Sequence, residues 1–158
     1  MRSTPEGQAL MELMWELAQT SFKMRAAGKS VTAPAATGEA IGVVTPSGAG
    51  VYGLLRSLAE EGPQTVPQIA RARPVARQHI QQMANDLVAQ GLIEFTNNPA
   101  HKRSRLLRMT PEGERLYAEL SARMAELAER LAADMEIDDL KTTVETLGRL
   151  KRKLADEK

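Results

Sequence analysis

The side chains with the clearest chemical use lie on one face of a predicted helix over residues 77–90. Apolar residues recur there at steps of three and four, at Ile80, Met83, Ala84, Leu87 and Val88, which predicts a buried stripe. The opposite face carries Arg77, Gln78, Gln81, Gln82 and Asn85. Arg can bond guanine through two donors, and Gln or Asn can pair with adenine through two hydrogen bonds. This face therefore suits contact with base edges, although a polar helix face is more commonly a solvated surface.

A basic hairpin is predicted directly after this helix. Gly91 ends the helix, residues 92–96 form a strand, and residues 104–109 return as a second strand. The return strand should point Leu107 and Met109 at the core. Four side chains that carry or can gain positive charge then lie at or near the tip: His101, Lys102, Arg103 and Arg105. Such a hairpin can reach the DNA backbone or minor groove while a helix occupies the major groove.

The elements that would hold the polar helix in place lie before it in the chain. Thr65 and Gln68 have capping-box spacing, in which the Thr hydroxyl accepts from the Gln68 amide and the Gln68 side chain reaches back. A short helix is therefore predicted over residues 65–70. An earlier helix is predicted to open at Thr45 and Pro46, although three glycines weaken it. The order short helix, polar helix and basic hairpin predicts a winged helix-turn-helix over residues 45–110.

The charge distribution supports the same segment. The whole chain has a formal net charge of +1, but residues 62–110 carry seven Lys and Arg against two acids, a net charge of +5. A basic block inside an almost neutral chain is expected of an electrostatic DNA footprint. Arg73, between the two helices, and His79, on the polar helix, are counted with the predicted DNA contacts.

An amphipathic helix is predicted at the N-terminal side, over residues 7–27. Its apolar stripe consists of Met11, Trp15, Ala18 and Phe22. Residues 28–44 are rich in Ala, Gly and Thr and are predicted to form a long connection, with a short helix possible near Pro34.

Two further amphipathic helices are predicted over residues 111–155. Thr110 and Pro111 open the first as a cap and a first-turn Pro, and its stripe runs to Met135, about 25 residues. The second begins near Asp138 with almost a heptad seam of Ile137, Leu140, Val144, Leu147, Leu150 and Leu154. Stripes of this length are longer than one small core can bury, so the first, fifth and sixth helices are expected to form a homodimer around a two-fold axis. The alternative is that they pack back on their own domain.

Together these features resemble the MarR-type transcriptional regulators, from Thr45 to the C-terminus. Residues 65–70 are similar to the family's first helix-turn-helix element, residues 75–93 to its recognition helix and exit, and residues 98–113 to its wing and the helix beyond. The family usually has an Asp two residues before a DNA-contacting Arg, where this chain has His101 before Arg103. Ala76 also replaces a common hydroxyl cap.

The resemblance implies a mainly α fold with a small β-hairpin wing, in which a winged helix-turn-helix core is joined to N- and C-terminal dimerisation helices. Residues 1–158 would then form a single domain. The resemblance also implies a ligand crevice between the dimer helices and the reading domain, which Met14, Trp15, Phe22 and Tyr52 could line. Aromatic and Met stripes at helical spacing are more often plain core.

Other functional classes have little support in the sequence. There is no cysteine, and a Gly-rich phosphate loop with its Lys is missing, so neither an enzyme nor a cofactor is predicted. His79 and His101 suit DNA contact better than zinc, because no ligand partners stand at metal spacing. No stretch is apolar enough for a membrane span or a signal peptide, so cytoplasmic location is the expectation.

Two functions remain. The first is a homodimeric repressor that reads a palindromic site in double-stranded DNA and responds to a small-molecule effector. The second is a winged-helix architectural or protein-interaction module with no ligand. The Arg, Gln and Asn side chains of the polar helix favour the first, because a non-specific binder could rely on Lys and Arg alone.

Overall fold

The computed structural model of the protein describes residues 4–31, 50–72, 76–101 and 103–157. They form mainly helices with a small antiparallel sheet, which confirms the predicted fold class. The elements are α1 Pro5–Val31, α2 Val51–Glu61, β1 Gln64–Thr65, α3 Val66–Ala72, α4 Arg77–Ala89, β2 Ile93–Thr96, β3 Leu106–Met109, α5 Pro111–Ala132 and α6 Ile137–Asp156.

Helix α1 is longer than predicted. The Thr4 hydroxyl accepts from the Gly7 amide at 3.1 Å and so caps its first turn. The helix continues to Val31, so residues 28–31 belong to it, and their assignment to a connection was wrong. A single Gly28 costs a helix only about 1 kcal/mol, which is too little to end one. Residues 32–44 lie outside the described residues.

Helix α2 begins later than predicted. Its N-cap is Gly50, with extended φ of −76° and ψ of 168°, and not Thr45. Thr45 and Pro46 lie outside the described residues. A start at Pro46 would place Gly48 and Gly50 inside the helix, at about 1 kcal/mol each, whereas a start at Val51 avoids that cost. The helix ends at Gly62, whose φ of 76° is in the left-handed region.

The sheet has the strand order β1-β3-β2, with both pairs antiparallel. The predicted hairpin is confirmed: Ile93 pairs with Met109 and Thr96 with Leu106. Strand β1 was not predicted, because two residues cannot show an alternating pattern. The buried Gln64 side chain donates to the carbonyl oxygen of Ser57 at 3.0 Å and so ties β1 to α2.

The core lies between α2, α3, α4, the sheet and the first half of α5. Its largest fully buried side chains are Leu54, Leu55, Ile69, Ile80, Leu87, Ile93, Leu107 and Leu120. The predicted stripe of α4 is confirmed, since Ile80, Ala84 and Leu87 are buried and Met83 and Val88 pack against the same core.

The start of α5 packs closely against the exit of α4. Gly91 has a φ of 72°, the left-handed conformation that ends many helices. The Thr110 hydroxyl donates to the Gly91 carbonyl at 2.6 Å and accepts from the Gly113 amide at 3.1 Å, which caps α5. A Cβ atom on Gly113 would overlap the carbonyl group of Leu92. Only glycine fits here without a backbone shift.

The chain divides into two compact units, Met1–Ser121 and Ala122–Lys158. The first unit contains the core. The second contains the rest of α5 and all of α6, in which no residue is buried. Helix α5 ends at Ala132, so Met135, predicted to extend its stripe, instead lies in the turn before α6. The predicted assignment of residues 7–27 and 111–155 to dimerisation stays a prediction.

Candidate DNA-binding surface

A groove of about 260 Å³ runs between α4 and the β2-β3 hairpin, which we call the reading groove. It brings together five of the predicted contact residues. One wall carries Arg77, Gln81 and Asn85, and the other carries Arg103 and Arg105. Val66 and Pro67, at the start of α3, complete it. Helix and hairpin therefore present their polar groups to one space.

The capping box of α3 positions that helix as predicted. The Thr65 hydroxyl accepts from the Gln68 amide at 3.3 Å, and the Gln68 side chain accepts from the Thr65 amide at 2.8 Å. The backbone N–H groups of Thr65 and Gln68, at the start of α3, thus both have acceptors. The box lies beside the sheet, because Thr65 also pairs with Leu106 of β3.

The outer face of α4 is free to meet a partner. Arg77, Gln78, His79, Gln82 and Asn85 are exposed, and Gln81 is half-buried. Ala76, at the N-cap, makes no side-chain capping bond, so the buried stripe must hold this helix in place. Within the described part of the chain, no hydrogen bond or ion pair engages the Arg77 side chain, and its donors remain available.

Two hydrogen-bonded pairs fix amide side chains on this face. Gln81 Nε2 donates to Asn85 Oδ1 at 3.0 Å, and Gln82 Nε2 donates to Asp86 Oδ1 at 2.9 Å. Both pairs are four residues apart, the spacing that brings side chains together on a helix. The pairing limits the directions in which these amides can meet a base.

The hairpin tip is shaped by Asn98. Its Nδ2 donates to the Ser104 carbonyl at 2.8 Å, and its Oδ1 accepts from the Ala100 amide at 3.0 Å. Arg103 lies within this turn and is exposed, and it makes no hydrogen bond or ion pair to the residues that the structure describes. Its guanidinium is available to a phosphate or a base.

Arg105, unlike Arg103, makes contacts within the hairpin. Its Nη2 donates to the Phe95 carbonyl at 2.6 Å, and its guanidinium carbon lies 5.2 Å from the Phe95 ring centroid. Part of its bonding capacity therefore holds the two strands of the hairpin together. Sequence patterns did not reveal this contact, because it joins a residue of β2 to the residue that precedes β3.

His101 lies away from the reading groove. It lines a second groove, of about 350 Å³, with Arg71 and Gln68 of α3. Arg71 is an exposed basic residue in the last turn of α3, and it was not among the predicted contacts. Its place in the basic block was the signal that could have identified it. The predicted contacts Arg73 and Lys102 lie outside the described residues.

The two acids of the basic block are both engaged. Glu94 forms an exposed ion pair with Arg108 at 2.5 Å, and Asp86 accepts from Gln82. Exposed ion pairs contribute only about 0–1 kcal/mol to stability, so the pair of Glu94 with Arg108 mainly offsets charge. Arg71, Arg77 and Arg103 form no ion pair among the described residues, and the basic block keeps its excess of positive charge, although Asp86, whose partner Gln82 is neutral, retains its negative charge.

The predicted ligand-lining residues occupy two environments. Met14, Trp15 and Phe22 are exposed on α1. Tyr52 of α2 stacks on Tyr117 of α5 with ring centroids 5.7 Å apart, and its hydroxyl lies 3.4 Å from Ser121 Oγ. These residues stay a prediction as a ligand site.

A charged pair stands one turn further along α2. The Glu60 carboxylate, hydrogen-bonded to Arg56 at 2.7 Å, raises the pKa of that guanidinium. This pair is exposed.

No group of three or more His, Cys, Asp or Glu side chains in the described ranges could hold a metal ion. None of the helices in that part of the chain has both the length and the apolar character of a membrane span.

Comparison with known proteins identifies the family. Residues 44–104 match the MarR family. The uncharacterized protein Rv2011c of Mycobacterium tuberculosis is 38% identical over 96 residues, which cover 61% of this chain and 67% of that protein. The crystal structure of MarR family transcription regulator SP03579 is similar over 96% of this chain and 93% of that one, with 26% identity and a TM-score of 0.74. The chain belongs to the MarR family of DNA-binding transcriptional regulators.

A more distant solved structure shares the fold. BpsR of Bordetella bronchiseptica has 17% identity and a TM-score of 0.67, over 87% of this chain and 91% of that one. Its structure concerns the regulation of BpsR DNA binding by 6-hydroxynicotinic acid. The family is one of transcription regulators, and the likeness to BpsR shows a shared fold.

Proposed function

We propose that the protein is a homodimeric, ligand-responsive repressor that reads a palindromic operator. The observation that carries this proposal is the reading groove, where Arg77, Gln81 and Asn85 of α4 face Arg103 and Arg105 of the hairpin. Arg, Gln and Asn are the side chains that pair with base edges in the major groove. Helix α4 would enter the major groove, and the hairpin would contact the backbone or the minor groove beside it.

Uncovered apolar surface supports a dimer. On α1, Trp15 is 66% and Phe22 69% exposed, and on α6 Val144 is 70% exposed. Large apolar side chains standing in rows are unusual on a monomer surface and often mark an interface. A second copy would cover each of these rows. A two-fold dimer also places two recognition helices about 34 Å apart, so that each can enter a successive major groove.

Ligand responsiveness is supported by family membership and by the chain's own aromatic residues. BpsR, which shares the fold, has its DNA binding regulated by an aromatic acid. In this chain Met14, Trp15, Phe22 and Tyr52 supply apolar and aromatic surface of the kind that binds such molecules. An effector bound there would weaken the DNA complex and so relieve repression.

The test is a selection from a library of random-sequence duplex DNA, followed by sedimentation of the complex with the enriched duplex. We expect a palindromic motif with half-sites about one helical turn apart, bound by two protomers. Benzoate-type and pyridine-type aromatic acids are then titrated into the complex, and release of DNA is expected. Uniform recovery of the library would instead support the architectural alternative. The repressor role itself is tested with a reporter gene placed behind the enriched site.

A further inference from the structure

The pairing of Gln82 with Asp86 fixes which atom Gln82 offers to a partner. Gln82 Nε2 donates to Asp86 Oδ1 at 2.9 Å on the exposed face of α4. An ionised carboxylate can only accept hydrogen bonds, so the amide nitrogen and not the amide oxygen must face it. Gln82 Oε1 is therefore turned away from the carboxylate, as an acceptor of defined direction.

The neighbouring pair lacks this restriction. Gln81 Nε2 lies 3.0 Å from Asn85 Oδ1, but both side chains are amides, and each amide both donates and accepts. Reversal of both groups gives an equivalent hydrogen bond. Gln81 and Asn85 can thus adapt their free donor and acceptor to the base they meet, whereas Gln82 cannot.

We propose that Gln82 is a specificity-determining residue that selects an amino base, adenine or cytosine, over a keto base, guanine or thymine, at one position of one strand. Adenine N6 and cytosine N4 are donors in the major groove, while guanine O6 and N7 and thymine O4 are acceptors. A fixed acceptor on Gln82 accepts a hydrogen bond from adenine or cytosine and is repelled by the acceptor atoms of guanine or thymine. The inference rests on the proposed placement of α4 in the major groove.

The charge of Asp86 strengthens the same preference. It is the one acid in the sequence of α4, and it is exposed beside Gln82. A carboxylate near base edges attracts exocyclic amino groups and repels the oxygens of guanine and thymine. The pair therefore offers Gln82 Oε1 and the carboxylate as acceptors, and its one remaining donor is the second Nε2–H of Gln82.

The experiment compares three proteins on one library of random-sequence duplex DNA: the wild type, Asp86→Asn and Asn85→Asp. The wild-type motif is expected to contain a position at which adenine or cytosine exceeds guanine or thymine by about tenfold, the effect of one good hydrogen bond. Asp86→Asn frees the amide to reverse, so that ratio should fall to about one while the other positions are kept. Asn85→Asp converts the adaptable pair into an amide-carboxylate pair and should add a second amino-base preference nearby.

The outcomes separate this inference from the proposed function. A wild-type motif that Asp86→Asn reproduces at every position would overturn the inference and leave sequence-specific binding intact. No new preference in the Asn85→Asp motif would also count against it. A wild type that enriches no motif would overturn both. Positions 85 and 86 are both exposed, and circular dichroism with thermal unfolding verifies that each variant is folded.

Discussion

At the scale of single residues, Arg77 and Gln81 form the α4 wall of the reading groove with different freedom. Arg77 is exposed, whereas Gln81 is half-buried and hydrogen-bonded to Asn85. We expect Arg77→Ala and Gln81→Ala each to weaken binding to the enriched duplex by about 1–3 kcal/mol, the value of a good base contact. Competition between that duplex and a scrambled one measures the loss.

A matched control comes from α5. Arg115 is exposed and paired with Glu112, and it lies outside the lining of the reading groove. Arg115→Ala removes the same charge as Arg77→Ala and should leave binding close to wild type. If Arg77→Ala weakened binding to scrambled DNA equally, Arg77 would be a phosphate contact and not a base contact.

The sequence predicted the polar face of α4 because helical periodicity alone separates it from the buried stripe. It did not predict the partners of those side chains. The hydrogen bond from Arg105 to Phe95 joins the residue before β3 to β2 over ten positions, and the ion pair of Arg108 with Glu94 joins the two strands over fourteen. Such contacts depend on strand register, which a list of basic residues does not contain. Charge at the hairpin was therefore predictable, but the division between free and engaged arginines was not.

At the scale of elements, the hairpin is expected to add backbone contact without sequence preference. Arg103 is exposed and makes no hydrogen bond or ion pair to the residues that the structure describes, so it is the hairpin side chain to change. Arg103→Gln should lower the slope of log affinity against log salt by about one unit per protomer, with the enriched motif unchanged. Arg103→Lys retains the charge and should retain the slope. A slope unaltered by Arg103→Gln would show that this side chain does not reach a phosphate.

The junction of α4, the sheet and α5 gives a prediction about stability. Gly113→Ala would place a Cβ atom against the Leu92 carbonyl, and a backbone group cannot turn aside as a side chain can. We expect a loss of about 1–3 kcal/mol in the free energy of unfolding. Gly148→Ala in α6 is the matched control, because its Cβ would meet only the flexible end of Arg152 at 3.7 Å. It should be neutral or stabilise the helix by up to about 1 kcal/mol.

Denaturant titration of both variants decides this prediction. Equal stability of Gly113→Ala and Gly148→Ala would mean that α5 can move away from Leu92. The sequence marked Thr110 to Gly113 as a helix start, but the need for glycine was not visible in it, since the close approach is to Leu92, just before β2 and far from Gly113 along the chain. The local capping rule applied at Thr65 predicted the start of α3 correctly. The start of α2 was predicted wrongly, because the Thr-Pro pair was given more weight than the glycines that follow it.

At the scale of the whole molecule, the sequence predicted where apolar surface accumulates but not what covers it. The heptad-like seam of α6 was visible as spacing, and the structure leaves Val144 and Leu154 exposed on that helix. The periodicity of one chain does not reveal an interface between copies. An apolar stripe has the same spacing whether it is buried within its own chain or against a partner. The proposed dimer therefore needs a test that acts on the partner contact alone.

Val144 allows such a test. It is 70% exposed within one chain, so Val144→Glu should cost a monomer little, and any larger effect must come from a second copy that buries the charge. We expect sedimentation to show dissociation at concentrations where the wild type is dimeric. Affinity for a full palindrome should fall towards that for a half-site, a greater loss than from any single base contact. Thr142→Glu adds the same charge to an exposed position on the opposite face of α6 and should leave the dimer intact. A Val144→Glu protein that remains a dimer with normal operator affinity would place the interface away from this seam.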